Sequence, residues 1–135
     1  MNYLFTYGTL MSGMYNSYVL KRYNSTFIKE ATLKNYQLLK SSFPAIRPKK
    51  NKEVEGEIYE ISNQCLEYLD DMEGITGKTS FNTYKKEMIN IDGYDCHVYS
   101  LNEDRNMRMQ RNRFKICSFN NYKIYHRDYI KNLTK

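Results

Sequence analysis

Cysteine and histidine are scarce in this 135-residue chain, and their placement excludes two classes of protein. The cysteines are odd in number and lie far apart, at Cys65, Cys96 and Cys117. This spacing argues against a disulfide framework and for a reducing cytosol. It also lacks the close pairs that zinc sites use, and neither His97 nor His126 has a partner at metal-ligand spacing. We therefore expect a cytoplasmic protein that uses no metal or other cofactor.

Long apolar segments and a secretory leader are absent as well. No apolar run reaches the roughly 18 residues that span a bilayer. Residues 1–10 lack both a basic start and a small-residue cleavage site. Hydrophobic residues make up 41% of the chain and charged residues 27%, which is typical of a folded globular protein. The length predicts a single domain over residues 1–135.

The net charge of +6 has three interpretations. Much of the excess lies in residues 105–113 and in the C-terminal segment, where a solvated basic face is the simplest explanation. Nucleic-acid binding, aided by some of the 14 tyrosines, is less favoured because no recognised nucleic-acid motif accompanies the charge. The third interpretation is attraction of an anionic or zwitterionic small-molecule substrate. No membrane partner is expected, and the sequence leaves the oligomeric state undetermined.

The first half of the chain predicts strands around one short helix. A β-prone run over residues 3–7 ends at Gly8, and helical spacing marks residues 16–23. Extended segments follow at residues 27–33 and 36–39, then a polar, basic loop over residues 47–52. Residues 54–61 alternate as a half-buried strand does, and Gly56 within them indicates a bulge or a close backbone approach.

The second half predicts two helices and a hairpin. Ser62 is a good N-cap for a helix with an apolar stripe at Leu66, Leu69 and Met72, and Gly74 suits a left-handed C-cap. After a loop over residues 77–82, strands at 84–91 and 96–101 flank Asp92-Gly93, which is a strong hairpin signal. A strand over 114–119 and a helix over 122–133 complete an α+β pattern that favours a small barrel with helices outside.

Two motifs stand out chemically. The helix that follows Ser62 ends in three acids, Asp70, Asp71 and Glu73, although helix C-termini favour cations. Such a broken local rule points to a functional site. We expect the helix end, the neighbouring aspartates and partial burial to raise the pKa of Glu73. The second motif is a strand that runs into a glycine turn and can present bare amide N–H groups to a ligand, Tyr7-Gly8-Thr9-Leu10.

The order of these motifs resembles that of the gamma-glutamylcyclotransferase-like family. The resemblance covers about residues 4–101 and depends on these segments: Phe5-Thr6-Tyr7-Gly8-Thr9-Leu10, Phe43-Pro44-Ala45-Ile46, Val54-Glu55-Gly56-Glu57-Ile58-Tyr59, Leu69-Asp70-Asp71-Met72-Glu73-Gly74, Tyr84-Lys85-Lys86 and Val98-Tyr99. It implies an α+β fold with a small closed mixed β-barrel and flanking helices. Lys86 departs from the family pattern, which often has arginine at that place.

The resemblance implies a reaction as well as a fold. Glu73 would be the catalytic acid–base, and substrate would be bound by residues of the turn and by a pocket tyrosine: Tyr7, Gly8, Thr9, Leu10 and Tyr84. The substrate's own α-amine would attack its side-chain amide and release 5-oxoproline and an amine. The protein would then supply orientation, proton transfer and oxyanion stabilisation, and no nucleophile of its own. A non-catalytic module that sequesters a small metabolite in the same pocket is the alternative.

Overall fold

The computed structural model describes residues 2–41, 43–75, 84–102 and 114–133, apart from the side chains of residues 128–133. Within these ranges the chain forms six strands and three helices. In chain order they are β1 (Asn2–Thr6), α1 (Ser17–Arg22), β2 (Thr26–Lys40), β3 (Ala45–Ile61), α2 (Asn63–Met72), β4 (Tyr84–Ile91), β5 (Tyr94–Leu101), β6 (Lys115–Ile116) and α3 (Tyr122–Leu133).

The strands form one mixed sheet in the order β4-β5-β1-β3-β2-β6. Strand β1 runs parallel to β5, and the other neighbouring strands are antiparallel. The sheet curls into a half-barrel, so that the Tyr36 hydroxyl of β2 donates to Glu87 of β4 over 3.1 Å although three strands separate them in the order. The predicted α+β fold with a mixed, barrel-like sheet and flanking helices is confirmed.

Both faces of the sheet are covered, as the alternation along β1 shows. Leu4 packs with Val19 of α1 and Leu69 of α2 in one buried cluster. Phe5 points to the opposite face and packs in a second cluster with Ile58 of β3 and other buried residues. Consecutive strand residues face opposite sides, so this short strand contributes to both halves of the core.

The prediction of a loop over residues 47–52 is wrong. These residues belong to β3 and lie in its antiparallel pairing with β2, where Pro48 is opposite Tyr36. The register shifts at this point, and the Asn51 amide donates to the Asn35 Oδ1 over 3.2 Å. Both asparagines have positive φ values, of 66° and 65°, which accommodate the irregularity. Pairing with a long neighbouring strand therefore overrides a local composition that favours a loop.

Helix α2 has the predicted ends. The Ser62 side chain accepts from the Cys65 amide over 3.1 Å. Gly74 has a φ of +70°, its amide donates to the Asp71 carbonyl, and the Ile75 amide donates to the Asp70 carbonyl, the two bonds of a Schellman motif. The helix therefore stops at the acidic motif.

The other predicted elements agree with the structure either closely or in part. The tight turn joins β4 to β5 with both Asp92 and Gly93 at positive φ, and α3 spans the predicted residues. The strand predicted over 114–119 is confined to the two residues of β6. Gly56 is a close approach, because an added Cβ would lie 2.5 Å from the Thr6 carbonyl oxygen. The predicted loop over 77–82 and the basic segment 105–113 lie outside the described residues.

Candidate active site

A cavity of about 370 Å³ lies where the end of β1, the C-terminal end of α2 and strands β4 and β5 meet. All six residues singled out from the sequence line it, so the structure brings Glu73 and Tyr84 to the same cavity as the glycine turn. The lining residues are Leu4, Phe5, Thr6, Tyr7, Gly8, Thr9, Leu10, Tyr15, Asn16, Phe43, Pro44, Met72, Glu73, Gly74, Tyr84 and Tyr99.

Glu73 is held by the end of helix α2. It occupies the C-cap position, and its amide donates to the Leu69 carbonyl over 2.8 Å. Burial raises the pKa of its carboxyl from the ordinary 4.5 to about 7. Burial is one of the expected causes and accounts for this rise, to which Asp70 and Asp71 add nothing. The contribution of the helix end stays a prediction. At neutral pH this carboxyl is therefore poised between its acid and base forms.

The negative charge of Asp70 at the C-terminal end of α2 is compensated by two neighbouring side chains. Its Oδ2 lies 2.8 Å from the Lys86 Nζ, and its Oδ1 accepts from the Tyr99 hydroxyl over 2.6 Å. The sequence interpretation missed this pair of contacts and did not place Tyr99 in the site. The signal was present, because the Asp92-Gly93 turn sets a register that puts Lys86 directly opposite Tyr99. Lys86 thus anchors the end of α2 to the β4–β5 hairpin.

Three buried tyrosines form fixed walls around Glu73. The Tyr7 hydroxyl donates to the Tyr99 carbonyl, and the Tyr84 hydroxyl donates to the Pro44 carbonyl. Burial, followed by charges that include Glu73, raises the pKa of Tyr7 and Tyr84 well above their ordinary value. The pKa of Tyr99 is also raised, by burial first and then by Asp70 and Glu73. The phenols are therefore neutral groups that shape the cavity, with Phe43 beside Tyr84.

The glycine turn lines the same cavity as Glu73 and carries amides that can serve as hydrogen-bond donors. Within the described part of the chain, no hydrogen bond is donated by the amides of Gly8, Thr9 or Leu10. The turn itself is closed by Met11 N to Gly8 O at 3.1 Å and by Asn16 N to Thr9 O at 3.0 Å. Buried amides without partners are uncommon in proteins, so such a group beside a cavity is a candidate ligand-binding element.

Two side-chain features define this turn further. The Thr9 hydroxyl accepts from the Asn16 side-chain amide over 2.9 Å, so it stabilises the loop. An added Cβ on Gly8 would lie 2.5 Å from Pro44 Cγ, so only glycine fits without a shift. Pro44 therefore packs directly against the turn whose amides are available.

The charge of the cavity is limited to one group. Among the described lining residues, Glu73 is the one with an ionisable carboxyl, and none is lysine or arginine. No group of three potential metal ligands occurs in the part of the chain that the structure describes. In that same part, no helix has the length and apolar character needed to cross a membrane.

Comparison with known proteins defines the class. Residues 4–123 match the family model described as "Gamma-glutamyl cyclotransferase, AIG2-like". Because this match covers most of the chain, the protein belongs to the gamma-glutamyl cyclotransferase, AIG2-like family. No curated protein matches the chain in sequence.

Solved structures share the fold at low sequence identity. An AIG2-like protein from Mus musculus superposes with a TM-score of 0.66 at 24% identity, over 90% of this chain and 88% of that one. A protein described as "Gamma-glutamyl cyclotransferase" gives 0.56 at 18% identity, over 75% and 66%. Kluyveromyces lactis allophanate hydrolase gives 0.74 at 14%, over 95% of this chain but 21% of that larger one. These likenesses establish the fold.

Proposed function

We propose that this protein is a cyclotransferase acting on a gamma-glutamyl amide or a related small amide conjugate. The substrate amine attacks its own side-chain amide and releases 5-oxoproline and an amine. The observation that carries the proposal is the pairing, in one cavity, of a carboxyl with a pKa of about 7 and a turn whose amides donate no hydrogen bond to the described residues.

Orientation is the first contribution of the cavity. The nucleophile is part of the substrate, so the protein must fold the substrate until amine and carbonyl meet. The walls that support this are rigid, because the hydroxyls of Tyr7 and Tyr84 are bonded to backbone carbonyls. Tyr15, Phe43 and Met72 add apolar lining, against which the leaving portion of a substrate can pack.

Proton transfer is the role proposed for Glu73. The attacking nitrogen forms a bond to the amide carbon and gives up protons as it does so. The Glu73 carboxylate accepts each proton and passes it to the departing nitrogen, which leaves as the amine when the carbon–nitrogen bond breaks. A group with a pKa near the working pH serves both directions well.

The amides of Gly8, Thr9 and Leu10 are proposed to bind negative charge. They would donate hydrogen bonds to either the tetrahedral oxyanion or the substrate carboxylate, a role that no lysine or arginine among the described lining residues can take. One oriented donor to an oxyanion typically contributes about 3 kcal/mol to transition-state stabilisation. Amide donors for a carboxylate and a carboxyl group for an amine in one cavity support a zwitterionic substrate headgroup. We also propose a cytoplasmic location, which suits the buried free thiols of Cys65, Cys96 and Cys117.

The experiment is a product assay. The protein is incubated with gamma-glutamyl conjugates of an amino acid, a polyamine and a lysine-derived amine, and 5-oxoproline is measured by mass spectrometry. We expect catalytic release of 5-oxoproline from at least one class of conjugate. Saturable binding of a conjugate with no product would instead favour the sequestering module and contradict the cyclotransferase.

A further inference from the structure

The C-terminal helix α3 contacts the β1–α1 loop, which we define as residues 7–16, at two places. Lys123 Nζ donates to the Ser12 hydroxyl over 2.9 Å. One turn further along the helix, the His126 ring lies against Tyr15, with 6.2 Å between ring centroids. Tyr15 itself lines the cavity. Helix α3 therefore reaches the loop that carries the available amides.

The first of these contacts is built around a buried carboxylate. Glu57 of β3 is only 4% exposed. Its Oε1 accepts from the Ser12 amide at 2.7 Å and from the Tyr59 hydroxyl at 3.1 Å. Its Oε2 accepts from the Ser12 hydroxyl and from Lys123 Nζ, both at 2.9 Å. A buried charge is tolerated when it is paired and fully hydrogen bonded, and Glu57 meets both conditions.

We propose that Glu57 and Lys123 are positioning residues. Through them, β3 and α3 clamp Ser12 and hold the β1–α1 loop in the form that presents its free amides to the cavity. The path from the clamp to the glycine turn is short. Met11 is the neighbour of Ser12, and its amide donates to the Gly8 carbonyl over 3.1 Å. The family match ends at residue 123, so all of α3 beyond Lys123 lies outside it.

The consequence for catalysis rests on the proposed function. If the amides bind the substrate carboxylate, then loosening the loop weakens substrate binding more than it alters the proton-transfer step at Glu73. Lys123 lies outside the set of residues that line the cavity, so it does not act on the substrate by direct contact.

The test compares Lys123→Met and Glu57→Gln with a matched control, Lys52→Met, which removes an exposed lysine of β3 that lines neither cavity nor clamp. Amide hydrogen exchange is followed by nuclear magnetic resonance at Met11, Ser12, Met14 and Asn16, whose amides are all bonded in the loop. We expect exchange there to be about tenfold faster in both clamp variants, the scale of one lost hydrogen bond to a charged group. Exchange in β1 and β5 should rise only by the loss of global stability that urea unfolding measures for the same variant.

Steady-state kinetics provide the second measurement. On a conjugate that the wild-type protein cleaves, Lys123→Met should raise KM about tenfold while changing kcat much less. The proposal is overturned if either clamp variant exchanges its loop amides like the control, or if the loss of global stability measured by urea unfolding accounts for all of the faster exchange in the loop. Absence of 5-oxoproline from the wild-type protein would refute the proposed function instead, while the exchange rates still decide the role of the clamp.

Discussion

Lys86 Nζ lies 2.8 Å from Asp70 Oδ2, and this ion pair joins the last turn of α2 to strand β4. The same carboxylate accepts from the Tyr99 hydroxyl, which adds a link to β5. Glu73 follows three residues later, as the C-cap of the helix thus anchored. The acidic end of α2 therefore has two parts: one acid that holds the helix in place, and one that lines the cavity.

Replacing Lys86 tests this anchoring role. We expect Lys86→Met to lower the free energy of unfolding by about 1 kcal/mol, because the pair is partly exposed, and to reduce kcat because Glu73 is less well placed. Lys86→Arg keeps the charge and should retain most activity. The matched control is Lys85→Met, which removes the more exposed pair with Glu87 at 3.4 Å. Urea unfolding and turnover are measured for all three; equal behaviour of Lys86→Met and Lys85→Met would contradict the anchoring role.

The burial of Glu73 predicts a stability cost that depends on pH. Its folded pKa of about 7 lies above the ordinary 4.5, so folding favours the protonated form. The wild-type protein therefore has its full free energy of unfolding below the ordinary pKa, and part of that free energy is lost as the pH rises through the folded pKa. The rise corresponds to roughly 3 kcal/mol against the ionised form. Glu73→Gln should therefore be more stable than the wild-type protein at about pH 8 and similar to it at about pH 4, by urea unfolding.

One result of this comparison would contradict the predicted effect of Glu73 on stability. If the unfolding free energies of Glu73→Gln and the wild-type protein differ by the same amount at both pH values, then the carboxyl does not titrate differently in the folded chain. Glu67→Gln, at an exposed position of the same helix, controls for the loss of one negative charge.

Gly8 predicts a defect of function more than of folding. A Cβ at this position would lie 2.5 Å from Pro44 Cγ, so Gly8→Ala must shift the turn or the proline ring. We expect a destabilisation of about 1–3 kcal/mol, as overpacking typically costs. Because the displaced amides would no longer meet the substrate, kcat/KM should fall by at least about tenfold for each donor lost, a conservative figure for an oxyanion donor. Wild-type kinetics in a folded Gly8→Ala protein would exclude this turn from the site.

The lowered pKa of Glu57 predicts a pH dependence of stability opposite to that predicted for Glu73. Burial alone would raise its pKa, but the Ser12 amide, Lys123 and the Ser12 hydroxyl together lower it below the ordinary 4.5. A depressed folded pKa gives stability that is present above the ordinary pKa and is lost as the pH falls through the folded one. Glu57→Gln should therefore be less stable than wild type near pH 7, by roughly 3 kcal/mol. The gap should narrow steadily below about pH 4.5 in acid titrations of unfolding; a gap independent of pH would contradict it.

Local chemistry predicted the parts of the fold that depend on local signals. Ser62 and Gly74 delimit α2, and Asp92-Gly93 fixes the hairpin and with it the pairing of Lys86 and Tyr99. The strand over residues 47–52 escaped prediction because it depends on β2, which no local pattern of prolines and lysines reveals.

The site shows the same division. The acidic motif and the glycine turn are visible as sequence, and both line the cavity. Among the expected causes of the raised pKa of Glu73, burial is confirmed, whereas Asp70 does not contribute and is instead engaged with a residue of another strand. The contact between Glu57 and Lys123 joins residues that are 66 positions apart, and nothing in either local sequence predicts it.

Turnover of Glu73→Gln, measured beside Glu67→Gln, decides whether Glu73 carries out proton transfer. Both variants remove one carboxylate, Glu67 from within α2 and Glu73 from its C-cap, but of the two only Glu73 lines the cavity. On a conjugate that the wild-type protein converts to 5-oxoproline, Glu67→Gln should keep wild-type kcat/KM. Glu73→Gln should stay folded and lose at least about a hundredfold, the scale of general acid–base catalysis. A folded Glu73→Gln protein that releases 5-oxoproline at the wild-type rate would contradict the account.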